Sequence, residues 1–195
     1  MIKPFDFYFD FVSPYTYLAH KQIREIEKKN NIKIIYKPIL LGGLHKLTGI
    51  TAQAFIPSKS KYMIRDCKMF AEKLNIKFKF NSYFPFSSLN LMRGVFYSQS
   101  IKKEEVYINK LFDGCWKEGL NLDDEKILNS LLKEIRIDFA EFKKATSDQK
   151  IKDKLVDKTQ NAFTKGIFGA PSFHVNNKLF WGQDRIEFAI AEAQK

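Results

Sequence analysis

The chain has 195 residues, 45% of them hydrophobic, with 19 phenylalanines and a formal charge of +11. That length and apolar content suit one domain with an insertion and exclude a disordered chain. No apolar run reaches the ~20 residues of a membrane span, and MIKPFDFYFDF lacks the layout of a signal peptide, so a cytoplasmic protein with no membrane partner is expected. The positive charge does not point to nucleic acid: only five of the 33 basic residues are Arg, and the lysines are scattered from Lys3 to Lys195 rather than gathered in a patch.

Phe5–Phe11 is an aromatic run that reads as a strand inside a sheet. Ser13-Pro14 follows, with Ser as a helix cap and Pro at the first helical position. The pattern Tyr15, Leu18, Ala19, Gln22, Ile23, Ile26 has helical period and stops at Lys28-Lys29-Asn30-Asn31. Ile32–Tyr36 is a second strand, so this β–α–β start predicts parallel pairing through a right-handed crossover. Leu40–Ser60 reads as irregular, with Gly42-Gly43, Gly49 and Pro57 as turn markers.

Six segments of three-to-four spacing come next: Tyr62–Leu74, Leu89–Ser100, Glu104–Trp116, Glu125–Ile135, Asp138–Ala145 and Ile151–Thr164. In the last, Ile151, Leu155, Val156, Thr159, Ala162 and Phe163 form one stripe. Strand signals return at Ser172–Val175 and Lys178–Phe180, joined by an Asn176-Asn177 turn. A final helix is predicted from Asp184, with Asp184 and Glu187 as a capping box. The expected fold class is therefore α/β: a thioredoxin-like domain (1–58 and 168–195) interrupted by an all-helical insertion (59–167).

Chemistry-bearing residues are few. Cys67 and Cys115 are 48 residues apart and form no CxxC, which argues for small buried side chains rather than a dithiol site. His20, His45 and His174 have no metal-ligand spacing, and no metal is expected. Ser13 lacks a G-x-S-x-G elbow and a partner His, so a hydrolytic nucleophile is disfavoured. As the cap of a helix whose amides and dipole favour negative charge, it suits a thiolate or oxyanion. In the GAPSF loop a cis peptide before Pro171 would leave the N–H and C=O of Ala170 free to pair with an extended peptide; a trans-Pro entering an edge strand is the alternative.

Five segments, FDFVSPYTYLA, PILLGGLHKLTG, IPSKSKYMIRD, YFPFSSLNLMRG and GIFGAPSFHVNNKLFWGQDRIEF, together resemble in order the 2-hydroxychromene-2-carboxylate isomerases. These are relatives of kappa-class glutathione transferases and DsbA-like oxidoreductases, and the resemblance spans about Phe5 to Phe188. It implies glutathione as cofactor and isomerisation of a small anionic aromatic substrate, a chromene carboxylate, to a trans-benzylidenepyruvate in aromatic catabolism. By the same resemblance Ser13 holds the glutathione sulfur and Lys59 meets its glycine carboxylate. Ala170, before Pro171, pairs with the cysteinyl backbone, and Gln183 with Asp184 grips the γ-glutamyl end. Relatives often form homodimers. Ile50 and Ser87 stand where the family commonly has Asn. Tyr83, Phe84 and Phe86 are candidates to meet an aromatic substrate or to pack in the core. A kappa-type transferase or peroxidase, and a non-catalytic thioredoxin-fold binding module, are the alternative functions.

Overall fold

A computed structural model describes residues 3–30 and 32–195; Met1, Ile2 and Asn31, the last of which was expected to help end the first helix, lie outside it. The aromatic run forms β1 (Phe5–Phe9), followed by α1 (Pro14–Asn30) and β2 (Ile34–Pro38). After the helical segments, β3 (Ser172–Val175) and β4 (Lys178–Trp181) complete one sheet of order β2-β1-β3-β4. β1 pairs with β2 in parallel and with β3 antiparallel, and β3 and β4 form a hairpin. Asn176 and Asn177 take φ of 46° and 61°, the positive values a tight two-residue turn needs.

The rings of β1 explain why it sits at the centre. Phe7 stacks on Phe173 of β3 at 5.3 Å and meets Tyr36 of β2 edge-on at 5.1 Å. Beyond the strand, Phe11 packs against Phe112 at 4.8 Å. Edge and offset geometries of this kind add to the burial of apolar area.

The segment predicted as irregular contains α2 (Leu41–Thr48), a short 3-10 turn at Gln53–Phe55, and the start of α3 (Pro57–Lys73). Its glycines misled the sequence reading. Gly43 brings α2 close to α8 (Gln149–Thr164), with Thr159 Cγ2 3.7 Å from where its Cβ would lie. Gly49 ends α2 in the left-handed conformation at φ 74°. Pro57 is the first residue of α3 rather than a turn marker.

The remaining helices are α4 (Leu89–Ser100), α5 (Glu104–Asp113), α6 (Glu125–Glu134), α7 (Phe139–Ser147) and α9 (Ile186–Ala193). After Asp113 the predicted helix widens into a π-helical turn, Gly114–Glu118, which places Trp116 fully inside. The α8 stripe is narrower than expected. Leu155, Thr159 and Ala162 are buried, but Val156 and Phe163 face solvent. Most of the helices share one large apolar cluster with the sheet, and Leu44 of α2 joins a second, smaller one with Tyr8, Ile39, Ala162, Ile167 and Ala170.

His20 of α1 is fully buried against the larger cluster. Asn109 Oδ1 accepts from Arg24 Nε and stands 2.8 Å from His20 Nε2, so Nε2 carries the proton; the Tyr36 hydroxyl donates to Nδ1 at 2.8 Å. Burial, then the charges of Lys21 and Arg24, push the His20 imidazole down to about 3. Unfolded, it would titrate near 6.5. Below that pH the unfolded chain gains a proton the folded one refuses, so stability falls with acidification. Between pH 6.5 and 5 His20 should account for about 2 kcal/mol of lost stability. Urea unfolding at pH 7 and 5 checks this: the wild-type drop should exceed that of His20→Gln by this amount, and equal drops would refute it.

Candidate active site

β1 delivers the chain to a turn, Asp10–Val12, and then to the N-terminus of α1. Ser13 caps that helix, its Oγ accepting from the Thr16 N–H at 3.2 Å. The same hydroxyl donates to the Ala170 carbonyl at 3.2 Å, across 157 residues of sequence. Ser13 and the GAPSF loop therefore meet, as the motif order implies. The Ala170–Pro171 peptide is cis. The Ala170 N–H has no hydrogen-bond partner among the described residues, and its C=O accepts one hydrogen bond, from Ser13.

The turn before Ser13 is held from three sides. Trp116 Nε1 donates to the Phe11 carbonyl at 2.7 Å, joining the helical region to the site. The Asp10 carboxylate, completely buried, accepts from Val12 N–H at 3.1 Å and Leu41 N–H at 2.7 Å. Leu41 opens α2, whose preceding residue Leu40 offers no side-chain cap, so Asp10 caps α2 from across the fold. Burial pushes the Asp10 carboxyl up, against hydrogen bonds from Ser88, Leu41 and Val12. Sequence reasoning missed Asp10. An acid flanked by Phe9 and Phe11 was the available signal, one that Asp6 shares between Phe5 and Phe7.

Pro171 and Gln183 lie on the β3–β4 side. The Pro171 carbonyl accepts from Gly182 N–H at 3.0 Å, which brings the WGQD turn back beside the GAPSF loop. Gly182 has φ 116°, and a Cβ there would lie 2.7 Å from Asp184 Oδ1, so glycine is required. Gly169 likewise makes room for the Trp181 indole, whose Nε1 would be 2.7 Å from an added Cβ. Gln183 is 3% exposed; its carbonyl accepts from Gln22 Nε2 at 3.1 Å, but its side-chain Oε1 is buried without a partner among the described residues. A buried orphan acceptor costs free energy unless something donates to it.

Asp184 does not form the predicted capping box. Helix α9 begins at Ile186 with Arg185 at its cap and no side-chain cap bond, and Asp184 Oδ2 instead pairs with Arg185 at 2.7 Å. The positive φ of Gly182 turns the chain so that the helix starts two residues late. Asp184 itself is exposed.

Lys59 sits in the first turn of α3, exposed and without an ion pair among the described residues. No direct contact ties it to Ser13 or Ala170. It shares a helix face with Asp66, two turns or about 10 Å along the axis. Asp66 Oδ2 accepts from the Tyr15 hydroxyl of α1 at 2.9 Å, so that face looks toward the helix Ser13 caps. Burial, then Cys67 and Asp66, push the Tyr15 phenol up and keep it a donor.

Cys67 and Cys115 are both buried, and burial pushes both thiols up, away from thiolate chemistry. Phe84 and Phe86 pack on Trp116 at 5.7 and 5.9 Å, and Tyr83 is exposed. Ile50 and Ser87 are exposed. Among the described residues no three His, Cys, Asp or Glu side chains gather as metal ligands, and no helix is long and apolar enough to cross a membrane.

Three comparisons with known proteins match nearly the whole chain. A family profile described as a DSBA-like thioredoxin domain matches residues 5–193. A 2-hydroxychromene-2-carboxylate isomerase of Sphingobium xenophagum is 28% identical, over 96% of each chain. Glutathione S-transferase kappa 1 of Rattus norvegicus is 24% identical, over 93% of this chain and 87% of its own. Among solved structures, a 2-hydroxychromene-2-carboxylate isomerase superposes with a TM-score of 0.87 at 24% identity, covering 95% of this chain and 92% of the other.

The Asp10 cap carries a prediction. Asp10→Ala leaves the Leu41 and Val12 amides without their acceptor and should destabilise the fold by about 2 kcal/mol. Asp10→Asn keeps one acceptor oxygen and should recover part of that. Chemical denaturation measures both, and an Asp10→Ala variant as stable as wild type would remove the role assigned to this carboxylate.

Proposed function

Because the chain belongs to the DSBA-like thioredoxin domain family, we propose that it is a glutathione-dependent isomerase interconverting 2-hydroxychromene-2-carboxylate and trans-o-hydroxybenzylidenepyruvate. It is an enzyme of the kind for which its isomerase and kappa-transferase relatives are named. The observation that carries the reading is the position of the Ser13 hydroxyl, at the mouth of α1 and against Ala170.

The residues present fit a peptide thiol. Ala170 offers an unpaired N–H to an extended backbone. Gln183 offers a buried orphan acceptor to an amino or amide N–H. Lys59 offers to a carboxylate an ammonium that has no ion pair among the described residues, and Asp184 offers a carboxylate to an ammonium once Arg185 yields it. When bound, glutathione supplies a thiolate that adds reversibly to the conjugated side chain of the opened substrate, allowing rotation before it leaves.

The chain's part is to make that thiolate available. A free thiol of pKa about 8.5 is only a few per cent ionised at neutral pH. Lowering it by two units takes roughly 2.7 kcal/mol of preferential stabilisation of the anion. The α1 terminus can supply up to ~2 kcal/mol, and a charge-assisted hydrogen bond from Ser13 covers the remainder. The buried thiols of Cys67 and Cys115 do not compete for this role. The overall charge of +11 favours arrival of an anionic aromatic substrate. A cytoplasmic location and a homodimer complete the proposal.

A second reading, a kappa-type glutathione transferase or peroxidase, is favoured by one observation. Phe84 and Phe86 are committed to the core around Trp116, which leaves Tyr83 as the exposed ring of the YFPFSS loop and no built aromatic slot there. Product analysis with the chromene carboxylate against a chlorinated aromatic electrophile separates the two.

Calorimetric titration of glutathione into wild type and Ser13→Ala tests both at once. Saturable binding with proton release at neutral pH is expected for wild type, and release should fall at least severalfold in Ser13→Ala. Absence of saturable binding to folded wild type would overturn the proposal in favour of a non-catalytic module.

A further inference from the structure

Ser13 has one proton to give, and in this structure it is already given. The hydroxyl donates to the Ala170 carbonyl at 3.2 Å and accepts from Thr16 N–H at 3.2 Å. Stabilising a thiolate requires that same proton to turn toward sulfur. Turning it takes from this carbonyl the one donor it has among the described residues. That loss is worth about two- to tenfold in an equilibrium constant, which offsets part of what the hydroxyl would contribute to ionising the thiol.

A replacement donor removes the difficulty. Ala170 presents, together with this carbonyl, an N–H that has no partner among the described residues, the donor and acceptor pair on which an extended backbone docks. The next residue, Pro171, has no N–H, and its carbonyl is taken by Gly182. Ala170 is thus the position in this loop where a peptide ligand can bring its own N–H to a carbonyl that Ser13 now occupies.

We infer that the Ala170 carbonyl acts as a gate on Ser13, holding its proton at rest and releasing it when a ligand's backbone N–H takes over the carbonyl. Ala170 is then a specificity-determining residue. The site ionises thiols embedded in a peptide, with the thiol proton passing to solvent, and leaves simple thiols protonated. The inference rests on the glutathione reading above and adds the reason such a ligand would be selected over any other thiol.

The gate makes an opposite-signed prediction for two ligands. In Ser13→Ala the Ala170 carbonyl stands free from the outset, so a ligand N–H gains a full hydrogen bond there. S-methyl glutathione, which has no thiol to ionise, should bind Ser13→Ala about fivefold more tightly than wild type. Glutathione itself should bind Ser13→Ala more weakly, and its thiolate absorbance near neutral pH should be lost. Ser13→Thr, which keeps a hydroxyl, should restore the wild-type order for both ligands. A merely damaged helix start would weaken both ligands together, and thermal melts would report it. S-methyl glutathione binding Ser13→Ala no more tightly than wild type would overturn the gate and leave the glutathione reading standing. Failure of folded wild type to bind either ligand would overturn that reading and the gate with it.

Discussion

The burial of β1 is the constraint on which everything else hangs. The strand is hydrogen-bonded on both edges, to β2 and β3, and its rings are enclosed by the sheet neighbours and by α5. A strand so placed cannot shift by one residue without moving its aromatic set to the wrong face. Its last residues therefore arrive at a fixed point. The turn of Asp10 to Val12 and the start of α1 inherit that precision, which loops usually lack.

Around that point the fold recruits distant parts of the chain. Asp10 binds the start of α2, Trp116 reaches from the π-helical turn to the Phe11 carbonyl, and Tyr15 binds Asp66 of α3. Each bond joins the Ser13 turn to a different element. The helical region is thus more than a lid beside a thioredoxin-like sheet. It shares the core with the sheet and fixes the geometry of the site's first turn. Among the described residues, Gln183 Oε1 and the Ala170 N–H are unpartnered polar groups of the β3–β4 side, and Thr16 Oγ1 is one on the α1 side.

Much of this was legible in the residues. The aromatic run, the Ser-Pro cap, the helical periodicities and the Asn-Asn hairpin state local preferences that the tertiary structure keeps. Three features were not legible, for separate physical reasons. α2 was hidden because Gly43, a poor helix former, is present for close packing on α8 and not for a turn. The Asp184 capping box failed because its local pattern is right but Gly182 turns the backbone away from it. The role of Asp10 was hidden because Leu41, the partner it caps, lies far along the chain, and no spacing rule connects them. The meeting of Ser13 with Ala170 came from motif order through a resemblance. The hydrogen bond between them is a product of the tertiary fold alone.

The bond from Ser13 to Ala170 spans nearly the whole polypeptide. During synthesis the first β–α–β unit and most of the helices emerge while the inner edge of β1 still lacks its antiparallel partner. Only when β3 and β4 leave the ribosome can that edge be closed and the two halves of the site brought together. This late stretch thus completes both the sheet and the contact between Ser13 and Ala170. Competence to hold a ligand would then report on the entire chain, and a truncated product would carry the capped helix without the loop that gives it meaning.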